Sequence, residues 1–371
     1  MLILAFVAMQ GAVAAPAPSA SREVAVQSAD GTPITGAADL PQGRPAAVVV
    51  MTAGTGLFDR DVRFGRGNTP RDLLFKDLAG RMTARGLAVV RYDRRGVNHG
   101  VAGAGMLNAS VSGTSTVETQ REDLRAVYDW ARSPSGLGAR CVILLGHSEG
   151  VMNIARLADS GAPPPAAVFA IGAPMRSPIE LLRWQMSERD VYSLRHMDED
   201  GDGRITTAEV ERNWRKTPSS AFDLIEPLKH PSGAWGAADL EAVGRAQAAL
   251  YEQQRQAALA LDDAAPYPNA TTPMARASWW KSWFTDAQPV GGRLARWNVP
   301  VYLHYGEIDS QTPPHNEAAA ARTHLGARAI VTVHPARGHS LGEHALFGPM
   351  DEAIADRIAV EAREAARGCG G

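Results

Sequence analysis

Apolar and polar positions alternate along this chain in two different rhythms. Short, nearly continuous apolar runs recur at 45–54 (PAAVVVMTAG), 87–93 (LAVVRYD), 141–148 (CVILLGHS), 166–174 (AAVFAIGAP), 299–309 (VPVYLHYGEID) and 327–336 (ARAIVTVHPA). Runs of this length, ended by Gly, Pro or Asp, read as strands buried on both faces. Between the second and third run the period becomes helical. At 115–133, Ser115 and Glu118 form a capping box, and Leu124, Val127, Tyr128 and Ala131 make one apolar stripe. Ile354, Ile358 and Ala362 repeat the helical pattern near 351–365. This alternation predicts an α/β chain with a mostly parallel sheet covered by helices on both faces. Ahead of it, Asp30-Gly31 between two extended runs at 22–37 predicts a hairpin.

From 177 to 290 the alternation stops, and the text turns helical and rich in Ala, Gln, Arg and Trp. The expected organisation is therefore a core in two parts, 22–176 and 291–366, interrupted by a helical insertion at 177–290. Within the insertion, 240–263 reads as an amphipathic helix with Leu240, Val243, Leu250 and Tyr251 on one side, although Gln247 interrupts the stripe. At the start, an apolar run from Leu2 to Met9 precedes the A-x-A site Ala12-Val13-Ala14, with no Lys or Arg ahead of it. This predicts a cleaved leader over 1–15 and an exported protein, periplasmic or secreted. The run is too short to span a bilayer, so no transmembrane anchor is expected.

Composition narrows the picture further. A chain of 371 residues with 45% hydrophobic content and a formal charge of -2 buries a sizeable core and carries no basic field for nucleic acid. Two cysteines, Cys141 and Cys369, exclude a disulfide framework. Their simplest reading is one buried thiol in a strand and one loose thiol in the tail.

The chemistry begins at Gly146-His147-Ser148-Glu149-Gly150, a Gly-x-Ser-x-Gly pattern fed by an apolar strand and followed by the helical text VMNIARLAD. Such a turn lifts a serine hydroxyl above the sheet and aims a helix N-terminus at it. The hydroxyl needs a base and an orienting acid. Asp309, presented by YGEIDSQTPP at the end of the run 299–309, and His339, after the last strand, supply both in the expected chain order. Glu307 and Asp286 compete as the acid, and His334, His344 and His304 compete as the base. An acyl-transfer site also needs oxyanion donors. The backbone N–H of Glu149 is one, and Thr55 in the loop TAGTGLFDRD is the expected second, with Gly54 and Gly56 as neighbours. Trp279, Trp280 and Trp283 read first as packing between insertion and core, and second as an acyl-pocket wall.

TAGTGLFDRD, VVRYDRRGV (89–97), LLGHSEG, WWKSWF (279–284) and VPVYLHYGEIDSQTPP together resemble the α/β-hydrolase superfamily. More narrowly, they are similar to bacterial esterases grouped with serine aminopeptidase-like hydrolases. Ala53, Leu57 and Val151 depart from the usual histidine, proline and second glycine of such proteins. The resemblance implies hydrolysis of small-molecule carboxylic esters without a catalytic cofactor. A peptidase or amidase is the alternative within enzymes.

One motif lies outside that resemblance. Asp198-Glu199-Asp200-Gly201-Asp202-Gly203-Arg204-Ile205-Thr206-Thr207-Ala208-Glu209 fits a twelve-residue EF-hand loop. Asp198, Asp200 and Asp202 take its first, third and fifth positions, the Arg204 carbonyl its seventh, Thr206 its ninth and Glu209 its twelfth. A single loop without a Met-rich groove predicts a structural calcium ion in the insertion rather than a sensor. A calcium-dependent binding module on an inert scaffold is the reading from another class.

Overall fold

The computed structural model describes residues 20–65, 67, 69–217 and 228–369, and the leader expected at 1–15 lies outside them. Eight strands form the main sheet: β1 (Ala20–Gln27), β2 (Pro33–Leu40), β3 (Val48–Thr52), β4 (Ala88–Tyr92), β5 (Val142–His147), β6 (Ala167–Ile171), β11 (Val301–Gly306) and β12 (Ala329–His334). Their spatial order is β1-β2-β4-β3-β5-β6-β11-β12. The first two pairings are antiparallel and the rest parallel. The mostly parallel sheet is as expected, and the hairpin turns at Asp30-Gly31, where Gly31 has φ 79.

Period-2 alternation sends successive side chains of the central strands to opposite faces. Val48, Val50, Val142 and Leu144 join one core, while Val49, Met51, Ile143 and Leu145 join the other. The first core is closed by α3 (Val117–Arg132), α4 (Glu149–Asp159), α10 (Val290–Leu294) and α11 (Pro314–Leu325), and the second by α1 (Leu74–Thr83) and α12 (Glu352–Ala365). A one-turn helix, α2 (Ala109–Ser112), precedes α3. The box that starts α3 is formed by Thr116 and Thr119, one residue beyond the expected Ser115 and Glu118. Ser115 is instead buried and accepts from Gln120 Nε2 at 3.1 Å.

The segment after β6 holds α5 (Pro178–Ser187), α6 (Arg189–Arg195), α7 (Thr207–Arg212), α8 (Ala237–Leu259) and α9 (Ala277–Thr285). It also contains two short ladders, β7 (Ile205–Thr206) with β8 (Ala234–Trp235) and β9 (Pro266–Tyr267) with β10 (Ala275–Arg276). Leu181, Leu182, Tyr251, Trp279 and Trp283 merge with the first core, whereas Leu194, Met197, Ile205, Val210 and Leu240 form a small core of their own. On α8 the expected stripe holds at Leu240 and Tyr251 but fails at Leu250, which is 47% exposed. Gln247, the interruption, donates to Asp190 Oδ2 at 2.6 Å and so ties α8 to α6.

The cysteines depart from the simplest reading, because Cys141 and Cys369 form a disulfide. Helix α12 returns the chain tail to the foot of β5, leaving the two Cα atoms 5.7 Å apart, a span that suits the bond. Among the described residues no helix is long and apolar enough to cross a membrane.

Candidate active site

Ser148 sits between β5 and α4 at φ 53, ψ -124, a region that costs a non-glycine residue roughly 1–3 kcal/mol and persists only when its surroundings impose it. Its N–H donates to Ile171 O on β6 at 3.0 Å, which pins the turn to the sheet. Gly150 is required by close approach, since a Cβ there would lie 2.2 Å from Thr52 O. Glu149 is the first residue of α4, and the first N–H groups of a helix have no partner within it. A helix N-terminus favours an anion, and this one begins directly beside Ser148.

Asp309 is fully buried just beyond β11. Its Oδ1 accepts from the N–H groups of Gln311 at 2.7 Å and Thr312 at 3.0 Å. Its Oδ2 accepts from Thr312 Oγ1 at 2.7 Å and from His339 Nδ1 at 2.9 Å. That bond places the proton of a neutral His339 on Nδ1 and leaves Nε2 free as an acceptor. The competing acids are engaged elsewhere: Glu307 accepts from Ala336 N at 2.9 Å, and Asp286 pairs with Arg293 at 2.8 Å. So are the competing bases, with His304 and His334 bonded to each other at 3.2 Å and His344 lying against Trp214.

The backbone of His339 is fixed from two sides. Its N–H donates to Ala345 O at 2.9 Å. Gly172, at φ 51, makes room for the ring, because a Cβ there would meet Nδ1 at 2.8 Å. Beneath it lies His147, fully buried, its ring 4.7 Å from that of His339 and 4.8 Å from Phe64. Its Nε2 donates to His339 O at 3.3 Å, since a carbonyl can only accept. Burial, then the neighbouring His339, holds the His147 imidazole well below its ordinary titration range, so it stays neutral. The pattern Gly-x-Ser-x-Gly leaves this position open, and nothing in its spelling marks His147 as a support.

Ser148 and His339 open onto one cavity of about 310 Å³. Leu181, Trp279, Trp280 and Trp283 from the segment between β6 and β11 line it, together with Phe58, Phe64 and Phe347. The tryptophans therefore line the cavity while also packing on each other and on Tyr267, the first of their two readings. Thr55 also lines the cavity, its hydroxyl turned to the Glu149 carboxylate. Among the described residues lining the cavity, Glu149 is the only carboxylate.

The acidic loop lies apart from this cavity. Carboxylate oxygens of Asp198, Asp200 and Asp202 come within 4.8 Å of one another. Asp198 accepts from the N–H groups of Gly201 at 2.8 Å and Gly203 at 3.0 Å, Asp200 from Asp202 N and Asp202 from Arg204 N. Glu209 is turned to the backbone: its carboxylate accepts from Glu199 N at 2.9 Å and Thr206 N at 2.8 Å. Those bonds, the Thr206 N–H first, hold its carboxyl below the ordinary 4.5. The structure thus gathers the three aspartates, while Glu209 and Thr206 form the box that starts α7 and Arg204 lies on the loop's exit. An all-oxygen set of three adjacent carboxylates fits a hard divalent cation.

The loop is paired with a segment that sequence reasoning passed over. Ile205 sits opposite Trp235, and Gly203, Ile205 and Glu209 share their spacing with Gly233, Trp235 and Asp239. Gly203 and Gly233 are both left-handed, with φ 80 and 93. Asp239 accepts from Gly236 N as Glu209 does from Thr206 N. Leu228, His230 and Ser232 stand where the first loop has its aspartates, so the second lacks a carboxylate cluster.

No known family profile matches the chain, and no curated protein matches it in sequence. Solved structures match it in fold. A proline iminopeptidase from Mycobacterium smegmatis is similar at TM-score 0.53 and 15% identity, over 94% of this chain and 99% of that one. Est1E from Butyrivibrio proteoclasticus is similar at TM-score 0.50 and 12% identity, over 93% of this chain and 99% of that one. A thermophilic esterase from Thermogutta terrifontis reaches 18% identity over 94% of this chain and 100% of that one, at TM-score 0.49.

Proposed function

We propose that this chain, an α/β-hydrolase by fold, is a serine hydrolase that cleaves neutral, apolar carboxylic esters. The observation that carries this reading is the strained Ser148, placed on an aromatic cavity together with a histidine whose Nδ1 is held by a buried carboxylate.

Ser148 Oγ attacks the ester carbonyl while His339 Nε2 takes its proton, and Asp309 stabilises the imidazolium that forms. The N–H groups of Glu149 and Thr55 receive the oxyanion. His339 then returns the proton to the leaving alkoxide, which departs as the alcohol and leaves an acyl-Ser148 ester. Water, deprotonated by His339, attacks that ester, and the acid leaves as Ser148 recovers its proton. An aminopeptidase needs a free carboxylate to hold a substrate ammonium, and the cavity's carboxylate is already paired with Arg94 at 3.2 Å, which favours the ester.

Calcium at Asp198, Asp200 and Asp202, joined by the Arg204 carbonyl, Thr206 and Glu209, would offset the repulsion of the aspartates and staple the insertion as a lid. The disulfide and the apolar start at 1–15 support a working place outside the reducing cytoplasm.

Hydrolysis of short and medium p-nitrophenyl esters by the protein in calcium, beside Ser148→Ala, tests the reading. Turnover lost in the variant supports it. Equal rates in both proteins would overturn it.

A further inference from the structure

We propose that the side chain of Glu149 is a positioning residue, a buried clasp through which one carboxylate sets both the oxyanion loop and the tryptophan wall relative to Ser148. The proposal rests on the serine hydrolase reading and assigns a task to a group that reading does not use.

Glu149 is 1% exposed and directly follows Ser148. Three donors from three separate parts of the chain converge on it. Trp279 Nε1, on α9 of the insertion, donates to Oε1 at 2.6 Å. Thr55 Oγ1, in the loop after β3, donates to Oε2 at 3.0 Å, and Arg94 Nη1, just beyond β4, donates to the same oxygen at 3.2 Å. Arg94 carries the tie further into the loop: Nη1 also donates to Gly54 O at 3.0 Å, and its backbone N–H donates to Phe58 O at 3.1 Å. The stretch from Gly54 to Phe58, which holds the Thr55 N–H, is thus held at both ends by the residue that neutralises Glu149.

A carboxylate suits this position where an amide does not. All its lone pairs accept, so it can take three donors at once, whereas an amide would turn an NH2 group toward at least one of them. Its charge sits at the N-terminus of α4, where the helix favours an anion. Alone, that anion would repel the oxyanion forming a residue away; paired with Arg94 it does not. Nε and Nη2 of Arg94 have no hydrogen-bond partner among the described residues, so without Glu149 the guanidinium would be a buried cation lacking its carboxylate. The clasp therefore works as a charge-balanced pair, and its halves have opposite electrostatic effects on the oxyanion.

The test compares Glu149→Gln, Arg94→Met, the double variant and Trp279→Phe with the wild type in the full chain. It reads kcat and KM for p-nitrophenyl acetate and octanoate, and the rate of labelling by a fluorophosphonate, which needs the nucleophile and oxyanion site but no ester preference. Arg94→Met is expected to lower kcat and labelling on the order of 10²-fold, because it leaves the anion beside the oxyanion. Glu149→Gln is expected to lower both by about tenfold, the loss of a charge-assisted hydrogen bond. The double variant should be faster than Arg94→Met, a recovery that a packing role alone does not produce. Trp279→Phe, which removes one N–H and keeps a ring, should raise KM more for octanoate than for acetate.

Wild-type labelling in Glu149→Gln, or a double variant whose loss is the product of the single losses, would overturn the proposal. If Glu149→Gln does not fold, Trp279→Phe decides, since equal shifts in KM for both esters would overturn it. Labelling of wild-type Ser148 without ester turnover would count against the ester reading alone, and the labelling rates would still decide the clasp.

Discussion

Two glycine-flanked turns carry the charged chemistry of this molecule, and they are held in shape by different means. At Ser148 the geometry is imposed from outside: the β6 carbonyl, the buried Glu149 clasp and the close packing at Gly150 fix a backbone conformation that the serine itself disfavours. At 198–209 the geometry is made from within, each aspartate accepting from N–H groups of its own loop while most of that loop stays exposed. A site imposed by its surroundings should fail all at once when a neighbour intrudes. A self-made loop should respond to solution conditions and leave the distant site largely intact.

The largest expected effect lies in the imposed site. Ser148→Ala should lower kcat for a p-nitrophenyl ester by roughly 10⁴-fold or more with an unfolding curve near wild type, and Asp309→Asn should lower kcat similarly while also losing stability, since its NH2 would face a donor. Next is Gly172→Ala, whose methyl would enter the His339 ring and sit at a positive φ. It should cost about 1–3 kcal/mol in denaturant unfolding and lower kcat by about 10²-fold through displacement of the base. A near-normal rate there would break the contrast.

The loop should answer to calcium instead. Calcium at about 100 times its Kd should stabilise the insertion by about 2.7 kcal/mol, seen as a rise in Tm that chelator or Asp200→Asn abolishes. Equal Tm in calcium and chelator would remove the calcium reading. Acid separates the regions by window. His147 is neutral when folded, so the core begins to lose stability as pH falls below the ordinary 6.5, where the unfolded histidine gains a proton. Glu209 contributes fully above 4.5 and loses its contribution only as pH falls further. Hydrogen exchange followed by mass spectrometry should find the β5–α4 turn loosening before the 198–209 loop; the reverse order would break the comparison. The smallest effect belongs to Trp235→Ala, which removes the residue opposite Ile205 and should weaken calcium binding severalfold, as read by calorimetry, with acetate turnover near wild type.

Much of the core was legible because its signals are local. Apolar run length announces buried strands, and the order Ser148, Asp309, His339 follows from loops placed after them. The roles of the Glu149 and His147 side chains were not legible, because their partners lie far off along the chain, in the loops after β3, β4 and β12 and on α9. The Cys141–Cys369 pairing was hidden for the same reason: it depends on where α12 ends. The segment 228–239 escaped notice because Leu228, His230 and Ser232 stand where the 198–209 loop has its aspartates, leaving only the spacing of Gly233, Trp235 and Asp239 in common. Leu250 misled because a long helix on a surface tolerates apolar residues facing water.

The Cys141–Cys369 bond makes the chain a covalent ring with a tail. The ring spans a sequence separation of 228 and encloses Ser148, Asp309, His339 and the whole insertion. Thr55, Arg94 and the strands β1 to β4 belong to the tail and meet the ring along the β3–β5 ladder. Mechanical load on the N-terminal side would therefore draw Thr55 and Arg94 away from the ring, while Ser148, Asp309 and His339 stay threaded on one closed contour.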